Sequence, residues 1–521
     1  MDDEQFRQAG NQMIDFAISY WNGLRDRPVI PDVSPGYLPS LLPQEAPQEP
    51  DKWEDVFKDI EQIILPGMTH WQSPQFHAYF PTGNSPPSLL ADILSSTLSI
   101  VGFSWIASPV STELEMVVMD WLGKAIELPD HFLFSTPGIH GGGVIQSTAS
   151  ECTLTAVLAA KTKMTTQVLQ QNPSLTPCQV WDKLVVYTSC QAHSSVERAA
   201  LLASVRLHVV STDDELSVRG ATLLKVIQED RKLGFIPMAV GVLFPFSRQL
   251  RFVFPDHSSN LFPTHAAVAL FCGIPETVRA SRLGIFRSDD ERWKTRNCSV
   301  RFKFRDRSDI EEAFKVNPLY LKHENQGGKV PDYRHWAIPL GRRFRSLKLW
   351  FVFRCYGLSG LQRYIREQIE LAKEFEALVK TDERFEVVVP VTLALVCFRF
   401  KGSNADNEDL LQILNERRKV HLTPTKLRGV FVLRFAVCSR LTEKKDVLYA
   451  WDEVCAALDV LKTNRGGNLR ADTKAVFCVP KELVQRKPLQ GEASAGRTST
   501  KPCASMLLEK YNQLKGWVLR N

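Results

Sequence analysis

Several absences bound what this chain can be. It has no Cys-x-x-Cys pair, and its 11 cysteines are scattered. That argues against a zinc site or a disulfide framework and for free thiols in a reducing compartment. No apolar run is long enough to span a bilayer. The start, Met1-Asp2-Asp3-Glu4, is acidic and lacks the basic-then-apolar order of a secretory signal, so a cytoplasmic protein is expected. Basic excess is missing from the body. From Lys462 onward the chain holds 12 Lys and Arg against 4 Asp and Glu, a surplus larger than the whole net charge of +6. The remainder is slightly acidic, so neither a nucleic-acid partner nor a membrane is expected. There is no internal repeat.

What is present suits a folded protein of several domains. The 521 residues are enough for two or three domains, and the 44% hydrophobic content is ordinary for a globular chain. The stretch Gly141-Gly142-Gly143-Val144-Ile145-Gln146-Ser147-Thr148-Ala149-Ser150-Glu151 opens on three glycines and runs into a helical apolar pattern. Glycines allow a tight turn, and Ser or Thr at a helix start supplies a cap. Glu151 can complete a capping box with Thr148. The free amides of such a first turn form an anion site, here a phosphate seat. The alternative is a plain turn before a core helix.

Around that stretch the chain alternates. Phe6, Met13, Phe16, Ala17, Tyr20 and Leu24 mark an amphipathic first helix, followed by a proline-spaced connector from Pro28 to Pro50. Such a helix can bury its face on another subunit or on its own domain. Helices are expected over Trp53–Ile64, Leu89–Val101 and Thr112–Leu122, the last capped by Ser111. Between them His70 to Ser85 is irregular and aromatic, as pocket linings for flat ligands often are. Strands Leu184–Tyr187, Val205–Val210 and Phe235–Val240 alternate with helices Val196–Leu202 and Leu216–Leu233. This rhythm predicts a parallel, doubly wound sheet with ligands at the strand carboxyl ends, and His193 lies just past one such end. A long helix with Leu361, Ile365, Ile369, Ala372, Phe375 and Val379 on one face then leads into a small α/β unit. From Thr463 a Gly/Ser/Thr/Lys-rich tail reads as disordered.

With these segments in view, the chain resembles the pyridoxal-phosphate-dependent aromatic-L-amino-acid decarboxylases, a group that includes tyrosine and histidine decarboxylases. The similar stretches are Pro31 to Leu38, His70 to Pro81, Gly102-Phe103-Ser104-Trp105, Thr112 to Glu115, Met119 to Gly123, the glycine stretch, Gln191 to Arg198, and Asp332-Tyr333-Arg334-His335-Trp336 through Trp350. The resemblance implies an α/β fold of the aspartate-aminotransferase type (fold type I). An N-terminal helical arm (1–83) would precede a large cofactor domain with a mainly parallel sheet (84–358). A small C-terminal α/β domain (359–462) and the basic tail (463–521) would follow. It implies a homodimer through the N-terminal helices and pyridoxal 5'-phosphate as cofactor. Ala149 and Ser150 would hold its phosphate, and His193 would stack on its ring. Trp71, Tyr79, Phe80, Pro81, Thr82, Val101, Phe103, His193 and Gly341 would shape the substrate pocket. Tyr333, on a mobile loop, would return the proton after carbon dioxide leaves.

The implied reaction converts DOPA, 5-hydroxytryptophan or tyrosine to its amine, a step of biogenic-amine and catecholamine formation. Gly341 is like the enzymes that take larger catechol or indole substrates, where histidine decarboxylases carry serine. Gly83-Asn84-Ser85 and Gly357 to Gln362 look closer to tyrosine decarboxylases. His193 resembles decarboxylases rather than aldehyde synthases. Between Val240 and Arg307 the family pattern is lost. His265-Ala266-Ala267 stands where the family has Asp-Ala-Ala, and Lys294 and Lys303 lie outside the context of the family's cofactor-bearing lysine. A catalytically dead homologue that serves as a binding or dimerisation partner is therefore the competing expectation, with a histidine decarboxylase as the other alternative.

Overall fold

The computed structural model describes residues 1–80, 83–138, 140–214, 216, 218–240, 269–272, 300–304, 307–316, 330–391 and 393–466. Helix α1 (Asp3–Asn22) begins in a reciprocal capping box in which Asp2 and Gln5 each accept the other's amide. It leaves Phe6, Met13, Ile14 and Ile18 exposed. The proline-rich connector returns to α2 (Trp53–Asp59), where Trp53 donates to Gln12 at 2.7 Å and Phe57 meets Phe16 edge to face. The helix expected to reach Ile64 ends at Asp59, and a π-type turn covers Ile60–Ile64.

Helices α3 (Pro86–Leu98) and α4 (Pro109–Ala125) both open on proline, which fits the first helical turn because that turn has no use for its missing N–H. The expected cap Ser111 is displaced for this reason. Ser108 caps α4, and Ser111 supplies the amide it accepts, at 3.4 Å. The glycine stretch is also corrected, from a turn to β1 (Gly142–Gln146), a fully buried strand. Gly142 and the preceding Gly141 answer to packing. A Cβ on Gly141 would strike the His131 carbonyl, and one on Gly142 would lie 2.5 Å from the Phe134 ring.

Beyond β1 come α5 (Ala149–Gln171), α6 (Pro177–Trp181), β2 (Leu184–Ser189), α7 (Ser195–Leu202), β3 (Arg206–Val210), α8 (Gly220–Lys232) and β4 (Ile236–Val240). Strand β2 is flanked by β3 and β4, both parallel to it, as the alternation predicts. Strand β1 belongs to an antiparallel sheet ordered β1-β6-β5, with β5 (Ala269–Cys272) and β6 (Val300–Phe304). Met164, Val186, Val196 and Met238 pack α5 and α7 onto the parallel strands. Helix α9 (Ser308–Phe314) contributes Ile310 to a core with Val144, Cys152, Tyr333 and Trp336.

Helix α10 (Ser346–Thr381) bends at Gly357, whose φ of 62° is accessible to glycine at little cost. It leads to β7 (Phe385–Val387), β8 (Leu395–Phe400), α11 (Asn404–Glu416), β9 (Thr423–Leu427), β10 (Val430–Ala436) and α12 (Lys444–Gly466). The four strands form an antiparallel sheet ordered β7-β8-β10-β9. The sequence reading missed β9, whose Pro424 is tolerated because β9 is an edge. The core of this unit is aromatic. Phe375 lies flat on Phe435 at 3.6 Å, with Trp451 and Phe398 edge-on to Phe375. Met1–Gly466 is one compact unit. The tail read as disordered lies outside the described residues, except for its first four, which extend α12. Cys152, Cys178, Cys190, Cys355, Cys397, Cys438 and Cys455 are free thiols. No helix among the described residues is long and apolar enough to cross a membrane.

Candidate active site

The carboxyl end of β1 feeds directly into α5. Thr148 is the cap, and its hydroxyl accepts the Glu151 amide at 3.1 Å. Glu151 does not close the expected box on Thr148. Its carboxylate reaches one residue further and accepts the Ser147 amide at 3.0 Å. With these amides taken, those of Ala149 and Ser150 have no acceptor among the described residues. They sit in a half-exposed first turn at the positive end of a 23-residue helix. From the other side Arg345 Nη2 donates to Ser147 Oγ at 3.1 Å, which sets a guanidinium beside the same turn. Two unpaired amides, a cation and a helix N-terminus fit a phosphate group.

His193 stands four residues past β2, and α7 begins two residues later. At this point the chain leaves β2 toward β3 on one side, and later returns as β4 on the other. That is a switch point of the sheet, where a crevice opens at the strand ends. The Ser195 amide donates to His193 Nδ1 at 3.1 Å, so the neutral ring carries its proton on Nε2 and the side chain is exposed. Ser195 Oγ meets Thr153 Oγ1 at 3.4 Å and ties the start of α7 to the first turns of α5. The phosphate seat and the imidazole are thus fastened to one framework.

Tyr333 does not lie on an open loop. It begins a single 3-10 turn, Tyr333–His335, capped by the Asp332 side chain and braced by the Arg334–Asp332 ion pair. The phenol is fully buried, its hydroxyl donates to the Gly143 carbonyl at 3.4 Å, and its ring packs edge-on against Trp336. Burial pushes its pKa well above the usual phenol range. In this position Tyr333 supports β1 from behind. Trp336 assists, its carbonyl accepting from Gln146 Nε2 at 2.7 Å.

The aromatic residues have a different anchor. Trp71 stacks on Tyr79 at 5.3 Å and on Phe76 at 4.9 Å, Tyr79 neighbours His421, and the Arg434 guanidinium lies 4.8 Å over Phe80. The His77 amide donates to the His421 carbonyl and the His77 carbonyl accepts the Ala436 amide, so this segment is sewn onto the β7-β8-β10-β9 sheet and its flank. Tyr79 has φ 51°, the left-handed region that a large side chain rarely enters. Trp71, Tyr79 and Phe80 are each at least 38% exposed, an incomplete pocket wall. Val101, half exposed, and the partly buried Phe103 flank Gly102, whose amide donates to the Arg342 carbonyl, next to Gly341. Pro81, Thr82, His265 and Lys294 lie outside the described residues, and Lys303 is placed only as a strand position opposite Gly143. Sequence reasoning missed Arg345 and the Glu115–Arg342 pair. Their spacing carries no motif, since each acts across the fold.

This geometry agrees with what the chain is similar to. The model of the pyridoxal-dependent decarboxylase conserved domain matches residues 35–255 and 294–401. The chain belongs to that family of pyridoxal-dependent enzymes. It is 48% identical over 475 residues to the aromatic-L-amino-acid decarboxylase of Rattus norvegicus, covering 87% of this chain and 97% of the relative. Among solved structures, Oryza sativa TDC with PLP and tryptamine aligns at a TM-score of 0.76 and 30% identity. Catharanthus roseus tryptophan decarboxylase in complex with L-tryptophan aligns at 0.75 and 32%. Each alignment covers 88% of this chain and 99% of the other. The fold is therefore the fold-type-I decarboxylase fold, as the resemblance implied.

Proposed function

We propose that this chain is a carboxy-lyase that removes carbon dioxide from an aromatic L-amino acid (DOPA, 5-hydroxytryptophan or tyrosine) with pyridoxal phosphate as cofactor. The observation that carries the reading is the open first turn of α5, with its two unpaired amides beside Arg345. When bound, the cofactor supplies the electron sink that the departing carbon dioxide requires. In this reading Ala149 and Ser150 hold the phosphate by their amides, and His193 lies flat against the ring. Trp71, Tyr79, Phe80, Val101, Phe103 and Gly341 receive the aromatic side chain; Pro81 and Thr82, given the same role by the resemblance, lie outside the described residues. The burial of Tyr333 favours a positioning role behind β1 over the proton donor that the resemblance implies.

A second copy completes the site in this reading. Phe6, Ile14 and Ile18 on α1, and Leu90, Ile93 and Leu98 on α3, are at least 45% exposed, an apolar surface suited to a homodimer. The free thiols, exposed Cys178, Cys190 and Cys355 included, support a cytoplasmic setting. The competing reading, a cofactor-binding homologue without turnover, draws on the family match, which leaves 256–293 unmatched.

Replacement of Ser150 by glutamate tests the seat. Pyridoxal phosphate affinity, followed by absorbance, is expected to fall about 100-fold, because a carboxylate would stand where the phosphate binds. An unchanged affinity would remove the phosphate seat from the account. Borohydride trapping and peptide mapping of the unaltered protein separate the two readings. A labelled lysine together with amine release supports turnover, and cofactor binding with neither supports the second.

A further inference from the structure

Val101, Phe103 and Gly341 lie on two segments about 240 positions apart in the chain, and one side chain holds both. Gly102 donates its amide to the Arg342 carbonyl at 3.0 Å, and Arg342 Nη1 donates back to the Gly102 carbonyl at 3.4 Å. The guanidinium is itself clamped, with Nη2 at 2.6 Å from Glu115 Oε1. Both side chains are more than nine-tenths buried. The same carboxylate oxygen accepts the Ile145 amide at 2.8 Å, and Arg342 Nη2 lies 3.4 Å from the Ile145 carbonyl. Ile145 is one residue from the end of β1, just before the phosphate seat. The flat face of the guanidinium covers the Tyr333 ring at 4.2 Å.

We propose that the Glu115–Arg342 pair is a positioning device for substrate selection, which locks the Val101–Phe103 segment to the Gly341 segment and sets both in register with the end of β1. The proposal rests on the reading of those three residues as substrate wall. Neither charge reaches solvent, so the pair acts through the backbone it holds. Buried ion pairs add little net stability compared with apolar substitutes, and what they supply is direction. A guanidinium offers a rigid fork of donors that fixes several acceptors at once. An apolar contact in the same place would let the two segments slide past each other and past β1. A slide of about 1 Å in a pocket wall is enough to change how an aromatic ring is held.

The experiment uses the cofactor-loaded full chain and measures dissociation constants for DOPA, 5-hydroxytryptophan and tyrosine by calorimetry, together with that of the cofactor. Each amino acid is titrated as its methyl ester, which has no free carboxylate to lose. The double variant Glu115→Gln/Arg342→Met removes both charges and strands neither, while the carboxamide oxygen that replaces the carboxylate still accepts the Ile145 amide. Cofactor affinity is expected to stay within about threefold. Affinity for the preferred amino acid should fall about tenfold, and the spread among the three should narrow. Arg342→Lys keeps the charge without the fork and should lie between, and it carries the test if the double variant fails to fold. Cofactor and amino-acid affinities falling together would mean a merely structural pair, and amino-acid binding that does not move would also overturn the proposal. Gly341→Ser keeps the two levels apart. If it leaves the substrate order unchanged, or if the unaltered protein binds none of the three at about 10 mM, the wall reading fails. If it shifts the order and the charge variants do not, the positioning role alone fails.

Discussion

The two halves of the proposed site are built by opposite means. At the start of α5 the work is done by backbone amides, a capping threonine and a carboxylate that engages another amide, all within a few residues of one another. Around Trp71 and Tyr79 it is done by stacked rings carried beside the β7-β8-β10-β9 sheet, and about half of each of these two residues is exposed. A polar seat of directed hydrogen bonds can be prebuilt in isolation, because each bond is local. A ring wall needs a surface on its other side before it excludes water. Under the proposed function, the contrast predicts that cofactor binding draws on contacts already in place, and that the amino acid meets a wall whose open side has still to be covered.

The sharpest attack on that contrast is to melt one half. Phe375 sits between Phe435 and Trp451, and Phe435 is the floor on which His77 stacks at 3.9 Å. Phe375→Ala should cost about 3–5 kcal/mol in stability. Below the melting point it should weaken amino-acid binding while cofactor binding persists, read by calorimetry on one preparation. Equal loss of both ligands would mean that the halves are not separately supported.

Acid separates the same two regions through His77. Its ring is fully buried and Nδ1 meets the Ala436 carbonyl at 3.1 Å, while burial holds its pKa down to about 3. The unfolded chain takes up that proton near its ordinary value of 6.5. Between those values the unfolded state binds more protons. The stabilisation is therefore complete above about pH 6.5 and declines on acidification by about 1.4 kcal/mol per unit. Urea unfolding of the parent and of His77→Gln at pH 7, 6 and 5 should show a parent slope steeper by about 2 kcal/mol over pH 6.5 to 5. His421, also depressed, to about 4, is common to both proteins and cancels. Parallel slopes would contradict the burial of the imidazole.

Much of this was legible in the sequence where local pattern and final structure obey the same rule. The strands around β2 and the helix face from Leu361 to Val379 follow from periodicity, because packing on one side imposes it. The cap at Thr148 follows because capping is local. The glycines of β1 misled because glycine serves two ends. Here it admits Phe134 and the His131 carbonyl rather than a turn. The buried placement of Tyr333 was not legible, because its neighbours in sequence do not reveal Gly143 and Arg342 packed against it. Glu115 and Arg342 fall in two separate family-like stretches that nothing in one dimension pairs, and only their meeting across 227 positions does so.

The smallest expected effect falls on the polar half. Thr148 Oγ1 accepts the Glu151 amide, so Thr148→Ala frees a third donor in the first turn of α5 while the Glu151–Ser147 bond remains. Loss of the cap should cost about 1 kcal/mol in stability. The freed amide adds partial positive charge to the seat, but the turn frays, so cofactor affinity should fall only about two- to fivefold. Thr148→Ser should restore both, since a hydroxyl at the cap is all the turn requires. Amino-acid affinity of the loaded protein should not move, because among the described residues no hydrogen bond or ring contact joins the ring wall to Thr148. A change there, or a serine variant that fails to rescue, would show that the two halves are coupled through the start of this helix and that their separation does not hold.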